Sequence, residues 1–442
     1  MNKREKFVIE GGKPVKGEVT LCGAKNSGFK LMIASLYADG RSEIRNFSKI
    51  TDTFSTGEII RNLGGEVIFG ENHIVTVSGK SLSNWVISSG QGKLSRAATY
   101  FIGPFLSRFG KAVVSNPGGC KIGRRPLDRH FEGIKALGAK IKGQDGHYLI
   151  SAKELKGTRY RFPKVTHGGT DVMVITSVLA KGKTVLENAA LEPEIDDLIA
   201  FLNKMGAKIE RKPGRIITIE GVKELKSASH SVMPDRNEAV TFACAALATK
   251  GDVLVKGADK KVLGAFLEQL DKVGGGYEID GKDIRFYYKK QLSPCNILTH
   301  PYPGFMTDWM AVWSVLMTQA KGESVIHETI FENRFAFFEQ LIKMGVKVKL
   351  FNPRVPRPEE VYSFNLKDDR PEYFHAARIF GPATLKPARL EIADLRAGAT
   401  LILASLIAKG KSELTGAELV DRGYENLDEK LRGLKANIKR TE

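Results

Sequence analysis

One pair of phrases recurs six times and constrains this chain more than any other feature. The first phrase is a small or apolar run, a glycine, then alternating residues. It falls at Gly40, Gly110, Gly182, Gly251, Gly322 and Gly410, at intervals of 70, 72, 69, 71 and 88 residues. The second is an apolar run with helical spacing, closed by glycine and followed by a short strand pattern. It centres on Gly64, Gly138, Gly206, Gly274, Gly345 and, in the last copy, Lys435. Self-similarity in two registers specifies one supersecondary unit used six times. Each copy predicts an apolar helix ended by a C′ glycine in left-handed φ and an alternating strand. A second helix follows, such as the one carrying Phe201, Leu202 and Met205, and then a further strand. Three units and three suit two α/β domains in a chain of 442 residues.

The last interval is 88 − 71 = 17 residues longer than the one before it, and the excess falls at 351–390. That stretch holds Pro353, Pro356, Pro358, Pro371, Pro382 and Pro387, a density that disfavours helix and central strand. It reads as a loop insertion.

Composition narrows the function classes. Lys+Arg exceed Asp+Glu by 68 − 50 = 18, which suits nucleic acid, a membrane surface or small anions. No helix-turn-helix, aromatic ribonucleoprotein strand or zinc knuckle supports nucleic acid. No apolar run reaches the roughly 20 residues of a membrane span. The start, Met1-Asn2-Lys3-Arg4-Glu5-Lys6, leads into no apolar stretch, so no secretory leader is expected. The four cysteines (22, 120, 244, 295) have neither metal-ligand spacing nor a disulfide framework. A reducing cytoplasm is the expected compartment.

Turns between the elements carry the candidate chemistry. Gly23-Ala24-Lys25-Asn26 lets backbone approach an anion beside a point charge, although a solvated lysine in such a turn is commoner. Asn116 to Asp128 sets Cys120 among Lys121, Arg124 and Arg125 on a glycine-bordered loop, surroundings that lower a thiol pKa and suit a nucleophile or general acid. Buried, inert thiols fit Cys22 and Cys244 better. Asp308, Arg334, Asp394, Arg396 and Arg422 are either helix-capping ion pairs or parts of a cationic site gripping carboxylate and phosphate.

Those residues resemble the UDP-N-acetylglucosamine 1-carboxyvinyltransferases, a family of enolpyruvyl transferases, over nearly the whole chain. The likeness rests on GAKN at 23–26, PGGC-x-IG-x-RP-x-D at 117–128, EN-A-A-x-EPEI at 187–195 and PDR at 234–236. It continues with TD at 307–308, FENRF at 331–335, ADLRA at 393–397 and DRGYE at 421–425. The resemblance implies an α/β fold of two inside-out α/β barrels, three repeats in each. One domain would comprise 1–23 and 234–442, and the other 24–233. It implies that phosphoenolpyruvate donates an enolpyruvyl group to the sugar 3-hydroxyl of UDP-N-acetylglucosamine. Lys25, Asn26, Arg125, Arg396 and Arg422 would hold phosphoenolpyruvate. The sugar nucleotide would meet Arg96, Arg125, Pro126, Leu127, Asp128, Arg129, Lys164, Val165, Thr166, His167, Asp308, Ile330 and Arg334. Cys120 would donate a proton and be the residue alkylated by fosfomycin, Asp308 would be the general base, and Lys25, Asp394 and Arg396 would complete the catalytic set. No metal, cofactor, nucleic acid, membrane or obligatory protein partner is implied.

Two departures stand out. Ser27-Gly28-Phe29 follows GAKN where small or aliphatic residues are usual, and His167 stands where a small or aliphatic residue is usual. The sister family acting on shikimate 3-phosphate carries a GSKS-like turn and lacks the cysteine loop, so the resemblance favours the sugar-nucleotide family.

Overall fold

The computed structural model describes residues 5–94, 96–115, 123, 124 and 126–441. They fall into two units, Gly23–Gly119 with Pro126–Met233, and Met1–Cys22 with Cys120–Arg125 and Pro234–Glu442. Each has its own hydrophobic core.

In the Gly23–Met233 unit the helices Lys25–Ala34 and His167–Ser177 are buried along most of their lengths, and Ile102–Phe109 buries its first five residues. Helices of that kind belong inside, so the amphipathic elements must cover them. Three sheets do so. One orders Lys208–Lys212, Ile216–Glu220, Lys183–Glu187 and Arg159–Arg161. Another orders Ser229–Ser231, Ser42–Arg45, Val75–Ser78 and Glu66–Phe69. The third orders Lys111–Ser115, His147–Ser151 and Lys140–Gln144.

The Pro234–Glu442 unit repeats this logic. Helices Arg236–Ala248, Thr307–Met317 and Leu395–Ile407 pack on one another and are buried along nearly their whole lengths. Trp309 and Trp313 lock them to Phe266 and Phe305 by edge-on ring contacts of 5.4 to 6.1 Å. One covering sheet orders Gly276–Asp280, Asp283–Tyr287, Asp252–Lys256 and Lys16–Thr20, and a second orders Ile297–Leu298, Gly322–His327, Ala376–Gly381 and Lys347–Phe351. In the third, Lys6–Gly11 lies antiparallel between Gly410–Thr415 and Asn437–Thr441, with Phe7 opposite both Leu414 and Arg440.

Two expectations need correction. The 351–390 stretch is not all loop, because it contains Ala376–Gly381, an inner strand paired on both sides. Its prolines punctuate rather than exclude structure, since Pro382 follows that strand and Pro358 opens the short helix Pro358–Val361. Nor are all the first-phrase glycines left-handed. Gly40 and Gly251 are not; a Cβ on Gly251 would stand 2.0 Å from the Val15 carbonyl oxygen, and one on Gly40 would stand 2.5 Å from Ser227 Oγ. Close approach, not φ, selects glycine at those two turns.

The second-phrase glycines do take left-handed φ, from 76° at Gly274 to 106° at Gly206, and Lys435 adopts φ 66° in the corresponding place. A Cβ there costs roughly 1–2 kcal/mol. Lys435→Gly is therefore expected to stabilise the protein by about 0.5–1 kcal/mol after the added freedom of the unfolded chain is subtracted. Gly206→Lys, where no atom lies within 4 Å of the new Cβ, should destabilise by about 1–2 kcal/mol. Urea unfolding measures both; a midpoint lowered by Lys435→Gly would contradict the strain argument.

Candidate functional site

Polar groups gather where the core helices begin. Asp394 caps Leu395–Ile407, accepting the backbone N–H groups of Arg396 (2.8 Å) and Ala397 (3.1 Å). The Arg396 side chain turns back, with Nε 3.2 Å from Asp308 Oδ1 and Nη1 3.1 Å from the Tyr424 hydroxyl. Burial opposes its charge, yet Tyr424, Asp308 and Asp235 outweigh that and hold the guanidinium above its ordinary range. Asp308 lies in the first turn of Thr307–Met317, and Arg334 Nη2 stands 3.6 Å from the same oxygen. Asn333, Arg334, Asp394 and Arg396 line a small cleft together with Ala311, Ala336, Phe337 and Ala397.

Glu328 braces this arrangement, and nothing in its sequence surroundings singled it out. Fully buried, it accepts the Thr307 hydroxyl at 2.9 Å and the N–H groups of Ile330 (2.8 Å) and Phe331 (3.0 Å). Burial pushes its carboxyl above the ordinary range, against the pull of Arg334. Tyr424, which the DRGYE motif contains without indicating a role for it, links Arg396 to Thr241. Arg422 and Ile330 are half-buried. Cys22 differs from expectation. It is only partly buried, outside any strand, and Lys430 Nζ lies 3.1 Å from its sulfur. Burial, reinforced by Glu238, pushes this thiol up to about 12.

In the other unit Lys25 and Asn26 open Lys25–Ala34, and Lys25 Nζ is paired with Asp52 at 2.9 Å. Gly23 is required by contact, since a Cβ would fall 1.8 Å from the Asn46 carbonyl oxygen. Thr166 caps His167–Ser177 through the Gly169 N–H at 3.3 Å. The helix Asp128–Ala136 packs on it, and Gly168 leaves room for His130, whose Nε2 would stand 2.9 Å from a Cβ there. This places Asp128 and Arg129 on the element beside Thr166 and His167. Burial holds the Arg129 guanidinium below its ordinary value, against Asp128, Glu132 and Tyr160. Lys164 and Val165 are half-buried, Pro126 is exposed and Leu127 buried. Cys120 and Arg125 lie outside the described residues, as does the side chain of Arg96.

His167 joins a buried cluster. Lys30 Nζ is 3.0 Å from His167 Nε2 and 2.7 Å from Asp171 Oδ2, and Tyr100 donates to the same carboxylate at 3.3 Å. Among the described residues no group of three or more His, Cys, Asp or Glu side chains forms a candidate metal site, and no helix is long and apolar enough to cross a membrane.

Residues 9–431 match the family described as EPSP synthase (3-phosphoshikimate 1-carboxyvinyltransferase). The UDP-N-acetylglucosamine 1-carboxyvinyltransferase of Trichlorobacter lovleyi is 39% identical over 439 residues, covering 99% of both chains. That of Bartonella henselae is 40% identical over 445 residues, covering 98% of each. The chain belongs to this family of 1-carboxyvinyltransferases. The enolpyruvyl transferase NikO from Streptomyces tendae aligns over 99% of each chain with a TM-score of 0.87 at 22% identity. EPSP synthase from Acinetobacter baumannii gives a TM-score of 0.70 at 18% identity, over 99% of this chain and 100% of that one. At such identities these two structures establish that the chain shares the fold of this transferase family.

Asp171 offers a test of the buried cluster. Burial, opposed by Lys30, raises its carboxyl to about 7. A raised folded pKa means that the neutral acid favours folding. Its contribution is complete below the unfolded value of about 3.9 and is lost as pH climbs through about 7. Wild-type stability, measured against Asp171→Asn by thermal unfolding, is therefore expected to decline between about pH 4.5 and about pH 8. A difference independent of pH would show that Lys30 keeps the carboxylate ionised throughout.

Proposed function

We propose that this chain transfers the enolpyruvyl group of phosphoenolpyruvate to the 3-hydroxyl of UDP-N-acetylglucosamine, releasing phosphate. This is a cytoplasmic step of peptidoglycan synthesis. The reading extends to architecture, with six α/β units forming two inside-out barrels of three. The observation that carries it is Asp308, held at the head of a buried helix between Arg334 and Arg396. A carboxylate fixed beside two guanidiniums suits a base working next to anionic reactants. Arg334 Nε is buried without an acceptor among the described residues, a costly state that a bound anion relieves. The family's named relatives supply the acceptor.

Asp308 takes the proton of the sugar hydroxyl, whose oxygen bonds to C2 of phosphoenolpyruvate. Cys120 gives a proton to the methylene carbon C3. The tetrahedral adduct then loses a methyl proton and phosphate, which restores the double bond on the sugar ether. Lys25, Asn26, Arg125, Arg396 and Arg422 bind the phosphate and carboxylate of phosphoenolpyruvate. Arg96, Arg125, Pro126 to Arg129, Lys164 to His167, Ile330 and Arg334 bind the sugar nucleotide. Asp394 keeps Arg396 at the start of its helix.

Phosphate release is expected only when phosphoenolpyruvate and UDP-N-acetylglucosamine are both present, and shikimate 3-phosphate should not substitute. Release with phosphoenolpyruvate and shikimate 3-phosphate, but not with phosphoenolpyruvate and the sugar nucleotide, would transfer the chain to the sister activity. Asp308→Ala should lower kcat by at least about 100-fold, the scale of a lost general base.

Fosfomycin should add to Cys120 and abolish turnover. Cys120→Asp keeps an acid and is expected to retain measurable activity without forming the adduct. Intact-mass measurement decides both points, and an adduct on the variant would move the labelling to another residue.

A further inference from the structure

The hairpin between Lys347–Phe351 and Ala376–Gly381 is unlike its counterparts. It closes on the pair Phe351 and Ala376, leaving 24 residues (352–375) outside the ladder. The comparable hairpins close on Phe69 and Val75, Gln144 and His147, Lys212 and Ile216, and Asp280 and Asp283. The long connection is internally packed. Tyr362, Phe364 and His375 are buried and pack with tilted rings, their centroids 4.9 to 5.1 Å apart. His375 Nε2 lies 2.9 Å from Asp369 Oδ2, and the Ser363 N–H donates to the Thr329 carbonyl at 2.7 Å. A tolerated surface excursion has no need of such a core.

This packing fixes Asp368. Its side chain is only 5% exposed, and its Oδ1 accepts Arg124 Nη1 at 3.0 Å. The Arg124 backbone N–H donates to Glu332 Oε1 at 2.5 Å. A Cβ on the preceding Gly123, at φ 140°, would strike the Glu332 carboxylate 2.3 Å away. Residue 124 is therefore held at two points, backbone and side chain. An exposed ion pair contributes little. A buried carboxylate differs, because losing its cation leaves an uncompensated charge.

We propose that the 352–375 connection is a positioning element for the Gly123–Arg124 peptide, with Asp368 as its anchoring residue. Arg124 immediately precedes Arg125 and stands four residues after Cys120. Fixing its main chain and side chain sets the direction in which the chain leaves toward both, and small misplacements of reacting groups are costly in rate. The inference rests on the enolpyruvyl transferase reading given above, under which those two residues meet phosphoenolpyruvate.

The test uses the full chain with Asp368→Asn, Arg124→Gln, their combination, and Arg124→Lys. One readout is the rate of Cys120 alkylation by iodoacetamide without substrates, followed by peptide mass spectrometry with buried Cys244 as the internal reference. The other is kcat and KM for phosphoenolpyruvate in phosphate release. Asp368→Asn and Arg124→Gln should each change the alkylation rate and kcat/KM by at least about threefold, the scale of a coupled pair. The double variant should be no worse than the more severe single one, and Arg124→Lys should stay near wild type. Singly substituted proteins that alkylate and turn over at wild-type rates overturn the proposal, and so do effects that multiply in the double variant. If Asp368→Asn does not fold, Arg124→Gln against Arg124→Lys decides. A wild-type chain that releases no phosphate defeats the transferase reading, while alkylation still reports on the pair.

Discussion

The enclosure of helices that have no polar face is the constraint on which the rest depends. Arg236–Ala248, Thr307–Met317 and Leu395–Ile407 are buried along almost their entire lengths, so sheets must lie outside them and every charge must leave their flanks. The first turn is the place left for polar residues, because its N–H groups have no partner within the helix. Thr307, Asp308 and Arg396 occupy such positions, and Asp235 and Asp394 are the caps just before them. Lys25, Thr166 and His167 do the same in the other unit. The candidate chemistry thus lies where the buried helices begin.

Burial also decides which charges matter. The net +18 is a property of the whole chain, and most exposed cations are paired with nearby carboxylates or solvated. Arg285 with Asp252 and Glu278 is one such exposed pairing, of the kind worth at most about 1 kcal/mol. Lys30 with Asp171 and Arg396 with Asp308 are different, because in each pair at least one member is largely withdrawn from water. There the desolvation penalty is large and removing one partner strands the other. A few enclosed pairs, not the overall excess, set the electrostatics of the sites.

Much of this was legible in the residues. Periodicity and glycine placement identified the order of helices and strands, and the GAKN, FENRF and ADLRA motifs led to Lys25, Arg334 and Arg396. Contacts between residues far apart in the chain were not legible. Glu328 became visible only through its hold on Thr307 and the 330–331 amides. In the sequence Lys30 is one lysine among many, and only the fold sets Asp171 and His167 against it. Prolines hid the strand Ala376–Gly381, since a proline just after a strand and one inside it read alike by density. At Gly40 and Gly251 a sequence shows a missing side chain but not whether dihedral angle or crowding requires it.

The strand Lys6–Gly11 sits between Gly410–Thr415 and Asn437–Thr441, and this has a temporal consequence. Synthesis delivers that strand first and its two neighbours some 400 residues later, a delay of tens of seconds at about 5–20 residues per second. Throughout that interval its Phe7 and Ile9 have no native shelter, although the Gly23–Met233 unit can close behind it. The nascent chain thus carries an unpaired apolar edge of the kind that invites wrong partners. Its flanking charges, Lys3, Arg4, Glu5, Lys6 and Glu10, oppose such pairing until Asn437–Thr441 arrives.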